Sequence, residues 1–134
     1  MAAKRHSRGS RSKSESVSPE EKAGWLRAAA HPVRLVVLRA LAEGPKCVKD
    51  LNALVPIAQP HLSQHMAVLR RSGLVEFHSE GNLRCYYLTR PSFVRSLLRL
   101  LDRPHPLHVL SKEVAKREAQ RRKPGGFRRR KRGT

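Results

Sequence analysis

Gly73 stands between two hydrophobic patterns that no single element can satisfy. Before it, in PHLSQHMAVLRRS (residues 60–72), apolar side chains recur three and four apart; after it, LVEFHS and LRCYYL are short β-type runs on either side of Glu80-Gly81-Asn82. The first pattern demands a helix, the second a pair of strands joined by a tight turn, and glycine is a natural stop between them. At about 100° per residue, Leu62, His65, Met66 and Leu69 gather on one side of that helix. Pro60, Gln64, Ala67 and Arg71 gather opposite, with His61 and Ser63 on the flanks. One side can dock, and the other is left for contact with something else.

Upstream, Ser18-Pro19-Glu20-Glu21 has the composition of a helix start: a hydroxyl cap, proline at the first helical position and acids where the dipole favours them. That helix should run to about Ala30 with Trp25, Leu26 and Ala29 as its apolar stripe. His31-Pro32 interrupts, and Pro32 restarts a helix through Leu41 that is apolar on most sides and therefore central. Lys46-Cys47-Val48 has room for one or two strand pairs, Val48 to Val55 forms a short helix stopped by Pro56, and Ile57 to Gln59 turns into the 60–72 helix. Thr89 should cap a last core helix from Arg90 to Asp102. Its Phe93, Val94, Leu97, Leu98, Leu100 and Leu101 exceed what a small core needs from one terminal helix, which implies a partner chain. Residues 1–17 form a disordered basic tail, 18–103 the folded domain, and 104–134 a basic extension, partly helical before a loose KPGGFRRRKRGT end. The order helix, helix, short strand, helix, turn, helix, hairpin, helix gives a fold that is mainly α with a small β-hairpin wing (α+β), a winged helix-turn-helix.

Charge narrows the partner. The formal net charge is +19, of which residues 1–18 hold +4, residues 19–110 hold +6 and residues 111–134 hold +9. So uneven a basicity calls for a polyanion, and nucleic acid fits better than a membrane because no long apolar run accompanies the charge. The basic N-terminal stretch lacks the apolar core of a signal peptide, so a cytoplasmic location, associated with the nucleoid, is expected. No nucleophile–base pair, carboxylate dyad or phosphate-cradling glycine loop is present, so no enzyme is expected. The exposed side of the 60–72 helix suits a DNA major groove, with Gln and Ser at base edges and Arg70 and Arg71 at phosphates.

HPVRLVVLRAL, CVKDL, QPHLSQHMAVLRRSGLV and EGNLRCYYL together resemble the ArsR-type (arsenic-repressor-like) family of bacterial and archaeal transcriptional regulators. The resemblance covers about residues 19–102. It implies a repressor that binds double-stranded operator DNA as a homodimer joined through its first and last core helices. By position it implies base-side contacts from Gln59, Pro60, His61, Ser63 and Gln64, and phosphate contacts from Arg70, Arg71, Asn82 and Arg84. The contrasting expectation is a sequence-independent basic packaging or RNA-associated protein. Two departures stand out: Ala58 occupies the position of the family's usual serine cap, and only Cys47 remains of the paired cysteines of metalloid-sensing members.

No cofactor is expected to be required. A metalloid or soft-metal effector is conceivable, but one thiolate is too few for such an ion. In a winged helix the short strand at 46–48 lies beside the second wing strand, which brings Cys85 near Cys47. Three readings stay open for the pair: a dithiolate ligand, a reversible disulfide, or two small buried residues without chemistry, reduced thiols being the intracellular default. His105 and His108 read as linker residues, because Pro104 and Pro106 spoil the helical geometry that would let them share a metal.

Overall fold

A computed structural model describes residues 16–122. Six helices and three strands follow one another as α1 (Pro19–Ala29), α2 (Pro32–Leu41), β1 (Lys46–Cys47), α3 (Val48–Leu54), α4 (Gln59–Arg71), β2 (Val75–Glu80), β3 (Leu83–Leu88), α5 (Pro91–Asp102) and α6 (Lys112–Arg121). This is the expected winged helix-turn-helix order. The chain divides into two compact units, one ending at Asp102 and one beginning at Arg103. The tail expected over residues 1–17 lies outside the described residues as far as residue 15, and so does the KPGGFRRRKRGT end.

The helix boundaries follow local chemistry. The Ser18 hydroxyl accepts from the Glu21 amide at 3.2 Å and opens α1. His31 does the same for α2, its Nδ1 accepting from the Val33 amide at 3.0 Å. The interruption at His31-Pro32 is thus also a cap. Gly73 ends α4 with φ at 84° in a paired-bond stop: the Gly73 amide reaches Arg70 O at 3.0 Å and the Leu74 amide reaches Leu69 O at 3.1 Å. Leu69 and Leu74 are both fully buried, the apolar contact that accompanies such a stop.

Thr89 does not cap α5. Its hydroxyl instead donates to Gly73 O at 2.6 Å, while its amide reaches Leu74 O at 2.9 Å, so it fastens the end of the wing to the end of α4. The helix then begins at Pro91, where the fixed φ suits the first helical position and no amide proton is lost to the ladder.

The core forms around α2, as its apolar surround predicts. Val37, Leu38 and Leu41 meet Leu51 of α3, Leu62, Met66 and Leu69 of α4, Leu74, Val75 and Tyr86 of the wing, and Val94 and Leu98 of α5. The sheet order is β1-β3-β2, antiparallel throughout. β1 contributes two rungs, Lys46 opposite Tyr86 and Cys47 opposite Cys85. α5 is held to the end of α2 by polar contacts: Arg39 grips both Asp102 oxygens at 2.8 and 3.1 Å, and Arg95 donates to Ala42 O at 2.9 Å. Leu98 therefore faces its own core, contrary to its expected place in a surplus surface. The surplus lies at Leu26 of α1 and at Leu100 and Leu101 of α5, each about half exposed.

Candidate nucleic-acid interface

Amphipathic placement decides what α4 presents. Leu62, Met66 and Leu69 are buried, whereas Gln59, Pro60, His61, Ser63, Gln64 and Arg71 are exposed. Ala58 is the cap residue and gives no side-chain hydrogen bond. Pro60 eases that loss, since one of the first-turn amides that a cap would satisfy is missing. The helix start is anchored behind by Asn52, whose Nδ2 donates to Val55 O at 3.2 Å and to Ile57 O at 2.9 Å. One side chain of α3 thereby fixes the turn that aims α4.

His65 sits on the docking side and is half-buried. Its Nδ1 lies 3.0 Å from an Arg34 Nη1, which donates to it, and its ring lies 4.4 Å from that of His31. Arg34 also donates from Nε to Ala28 O and from Nη2 to Arg27 O. The end of α1, the start of α2 and the middle of α4 are joined through these three side chains. Burial pushes the His65 imidazole below its ordinary value, and His31, Arg34 and His61 push the same way.

Across from α4, the wing and α3 complete a cleft of about 570 Å³ lined by Val48, Lys49, Asn52, Gln59, Ser63, Asn82, Leu83, Arg84 and Tyr86. Gln59, Ser63, Asn82 and Arg84 are thus brought to one place from two elements expected to share a ligand. Lys49 and Asn52 join them, and sequence reasoning had not singled them out. Lys49 is exposed, whereas Asn52 is half-buried and reaches the cleft from the turn that it clamps.

The three arginines differ. Arg71 is exposed and without a partner among the described residues. Arg70 donates from Nε and Nη2 to Glu76 Oε2 at 3.2 and 2.9 Å and lies 4.3 Å over the Phe77 ring. Arg84 lies 4.4 Å over the same ring. The Phe77 amide, with help from Arg70, holds the Glu76 carboxyl below its usual range.

Cys47 and Cys85 are joined as a disulfide between β1 and β3. Reduced thiols, the state expected from the sequence, are not what the structure shows. Nor do the residues fit a metalloid or soft-metal effector: the two sulfurs are bonded to each other, and no group of three or more His, Cys, Asp or Glu among the described residues could hold a metal ion. His105 and His108 lie in non-helical chain before α6. No helix among the described residues is long and apolar enough to cross a membrane.

Known proteins share this arrangement. Residues 31–76 match the family described as bacterial regulatory protein, arsR family. An uncharacterized HTH-type transcriptional regulator of Mycobacterium tuberculosis is 34% identical over 95 residues, covering 70% of this chain and 82% of the relative. The biofilm growth-associated repressor of Xylella fastidiosa is 46% identical over 69 residues, 52% of this chain and 60% of that protein. The match therefore spans under two thirds of that relative's length. The homodimeric winged helix-turn-helix DNA-binding domain of a possible ArsR-family regulator from Mycobacterium bovis superposes with a TM-score of 0.57 at 25% identity, over 66% of this chain and 89% of the domain. The chain belongs to the arsR family of regulatory proteins.

Proposed function

We propose that this protein is a transcriptional repressor that binds operator DNA as a homodimer and has no enzymatic activity. The observation that carries the reading is the exposed polar side of α4 facing a cleft closed by the wing, with Gln59 and Ser63 on one wall and Asn82 and Arg84 on the other. Gln64 and Ser63 read base edges, Gln59, Pro60 and His61 shape the entry of α4 into the major groove, and Arg71, Lys49, Arg84 and Asn82 contact phosphates. Arg70 acts from its place beside Glu76 and Phe77.

The dimer rests on the exposed apolar strip of α1 and α5, where Leu26, Leu100 and Leu101 remain outside their own core. The similar winged helix-turn-helix domain from Mycobacterium bovis is homodimeric. A two-fold axis there would present two α4 helices to half-sites about one helical turn apart. The site of action is the cytoplasmic nucleoid, where the basic segments add sequence-independent phosphate affinity.

Selection from a random duplex library tests the reading directly. The expected product is a pseudo-palindrome bound by two chains. A library that stays random after repeated rounds would leave sequence-independent packaging as the function.

A further inference from the structure

We propose that Cys47 and Cys85 form a thiol–disulfide exchange site, with low-molecular-weight disulfides as its co-reactant, and that the bond sets how firmly the wing is held against the rest of the reading head. The inference rests on the DNA-binding reading above and adds its regulation.

The argument begins with register. β1 is two residues long, and Cys47 opposite Cys85 is one of its two rungs on β3. A ladder that short holds weakly by its backbone alone. The covalent bond is therefore a large part of what joins the wing to the start of α3. Both cysteines are half-buried and neither belongs to the core, which leaves part of each residue open to solvent.

The cleft supplies the consequence. Cys47 directly precedes α3, which carries Lys49 and Asn52; Cys85 directly follows Arg84, with Asn82 just before. All four of these neighbours line the same cleft. The bond also closes a covalent ring of sequence separation 38 that contains α3, the turn, α4 and β2. Oxidised, the two walls of the cleft are pinned in one arrangement. Reduced, the α3 wall keeps two backbone rungs and the packing of Tyr86, while the α4 wall keeps the Thr89–Gly73 bond and the Arg70–Glu76 pair, so the loss of restraint falls on the α3 side of the cleft. Preorganised contacts bind more tightly because less freedom is lost on association, so the oxidised chain is the stronger operator binder.

The chemistry balances. One cysteine thiolate attacks a disulfide RSSR, forming a mixed disulfide and releasing one RS⁻. The second thiolate attacks the protein sulfur of that mixed disulfide, forming Cys47–Cys85 and releasing the other RS⁻. Two electrons pass from the cysteine sulfurs to RSSR, and the two protons end on the released thiolates. Reduction by two equivalents of RSH reverses each step.

The full chain, equilibrated in glutathione buffers of varied thiol-to-disulfide ratio, is alkylated with iodoacetamide and weighed while its affinity for a selected duplex is read by fluorescence anisotropy. The expected result is a shift from no added carbamidomethyl groups to two, with at least about fivefold weaker binding by the reduced form, the lower edge of ordinary coupling between sites. The double variant Cys47→Ser, Cys85→Ser should bind like the reduced chain at every ratio. Equal or tighter binding by the reduced form overturns the proposal, as does failure to oxidise at any glutathione disulfide concentration. Because the titration uses the unaltered chain, a variant that fails to fold leaves the test intact. Failure of selection to enrich any duplex would sink the DNA-binding reading itself, a separate result from equal affinity of both forms for an enriched one.

Discussion

Asn52→Ala should destabilise the folded unit by about 2 kcal/mol and weaken operator binding beyond what stability explains. The magnitude comes from two unequal losses. Val55 O keeps a second donor, the Ile57 amide at 2.7 Å, so it forfeits one of two bonds. Ile57 O loses the side-chain donor that reaches it at 2.9 Å, in a turn whose side chains at positions 52 and 57 are half-buried. A hydrogen bond contributes about 0.5–1.5 kcal/mol net, and a carbonyl stripped of its partner away from water costs about 1–3. Asn52→Asp should be worse than alanine, since it aims a carboxylate at two carbonyl oxygens. With a urea slope of about 1–3 kcal/mol per molar for a small domain, the alanine midpoint falls by roughly 1 M at unchanged slope. Circular dichroism at increasing urea gives the stability, and anisotropy with the selected duplex, well below the new midpoint, gives the affinity. A midpoint within about 0.2 M of the parent, or alanine worse than aspartate, would refute the assignment of Asn52 as the clamp of this turn.

Other outcomes follow from the same geometry. Leu101→Glu, at a half-exposed position, should yield folded monomers in sedimentation and loss of operator binding, whereas Leu98→Glu should unfold the chain because Leu98 is buried; an unchanged mass for Leu101→Glu counts against the α1–α5 interface. Gln64→Ala should relax preference at one or two base pairs by about 1–3 kcal/mol, while Arg71→Ala weakens all sequences alike; an unaltered selected site would mean a different register for α4. His65 is held below its ordinary value, so the unfolded chain takes up that proton first: its contribution is complete above about pH 6.5 and shrinks as pH falls through that value toward the folded one. His65→Gln should flatten this part of the stability profile, and an identical pH slope for parent and variant would contradict it. Removing residues 111–134, which hold +9, should reduce the salt dependence of DNA affinity by about 4 per subunit, if about four of those charges meet phosphates, without moving the preferred site.

Much of the fold was legible because neighbouring residues impose it. Gly73 could be read as a stop, and the structure shows why it works: left-handed backbone, two reversed amides, and Leu69 against Leu74. Pro32 and Pro56 marked boundaries by their missing amides and their effect on the preceding residue. What escaped were contacts between residues remote in sequence. Nothing local shows that Thr89 would bond Gly73 rather than cap α5, since a hydroxyl followed by a helix looks the same in both cases. Leu97, Leu98, Leu100 and Leu101 follow one another with only Arg99 between, and only α5's rotation against α2 separates the buried Leu98 from the exposed pair. In the cleft, Gln59 and Ser63 could be placed by helical periodicity, but Lys49 and Asn52 needed the angle between α3 and α4.

The arrangement around Phe77 bears on how positive charge is used. Two guanidiniums lie over one ring, at 4.3 and 4.4 Å, and one of them is also paired with Glu76. A phosphate drawing Arg70 away would have to replace two charge-assisted hydrogen bonds and a ring contact, whereas Arg71 would surrender only water. Arg84 lies between these cases, with a ring contact but no carboxylate partner among the described residues. Exposed positive charges on the reading head are therefore not equivalent in what they cost to redirect. Phosphate neutralisation should fall first on Arg71, next on Arg84, and least on Arg70, whose ion pair ties the last turn of α4 to the first residues of β2 and so keeps the wing in reach of the same duplex.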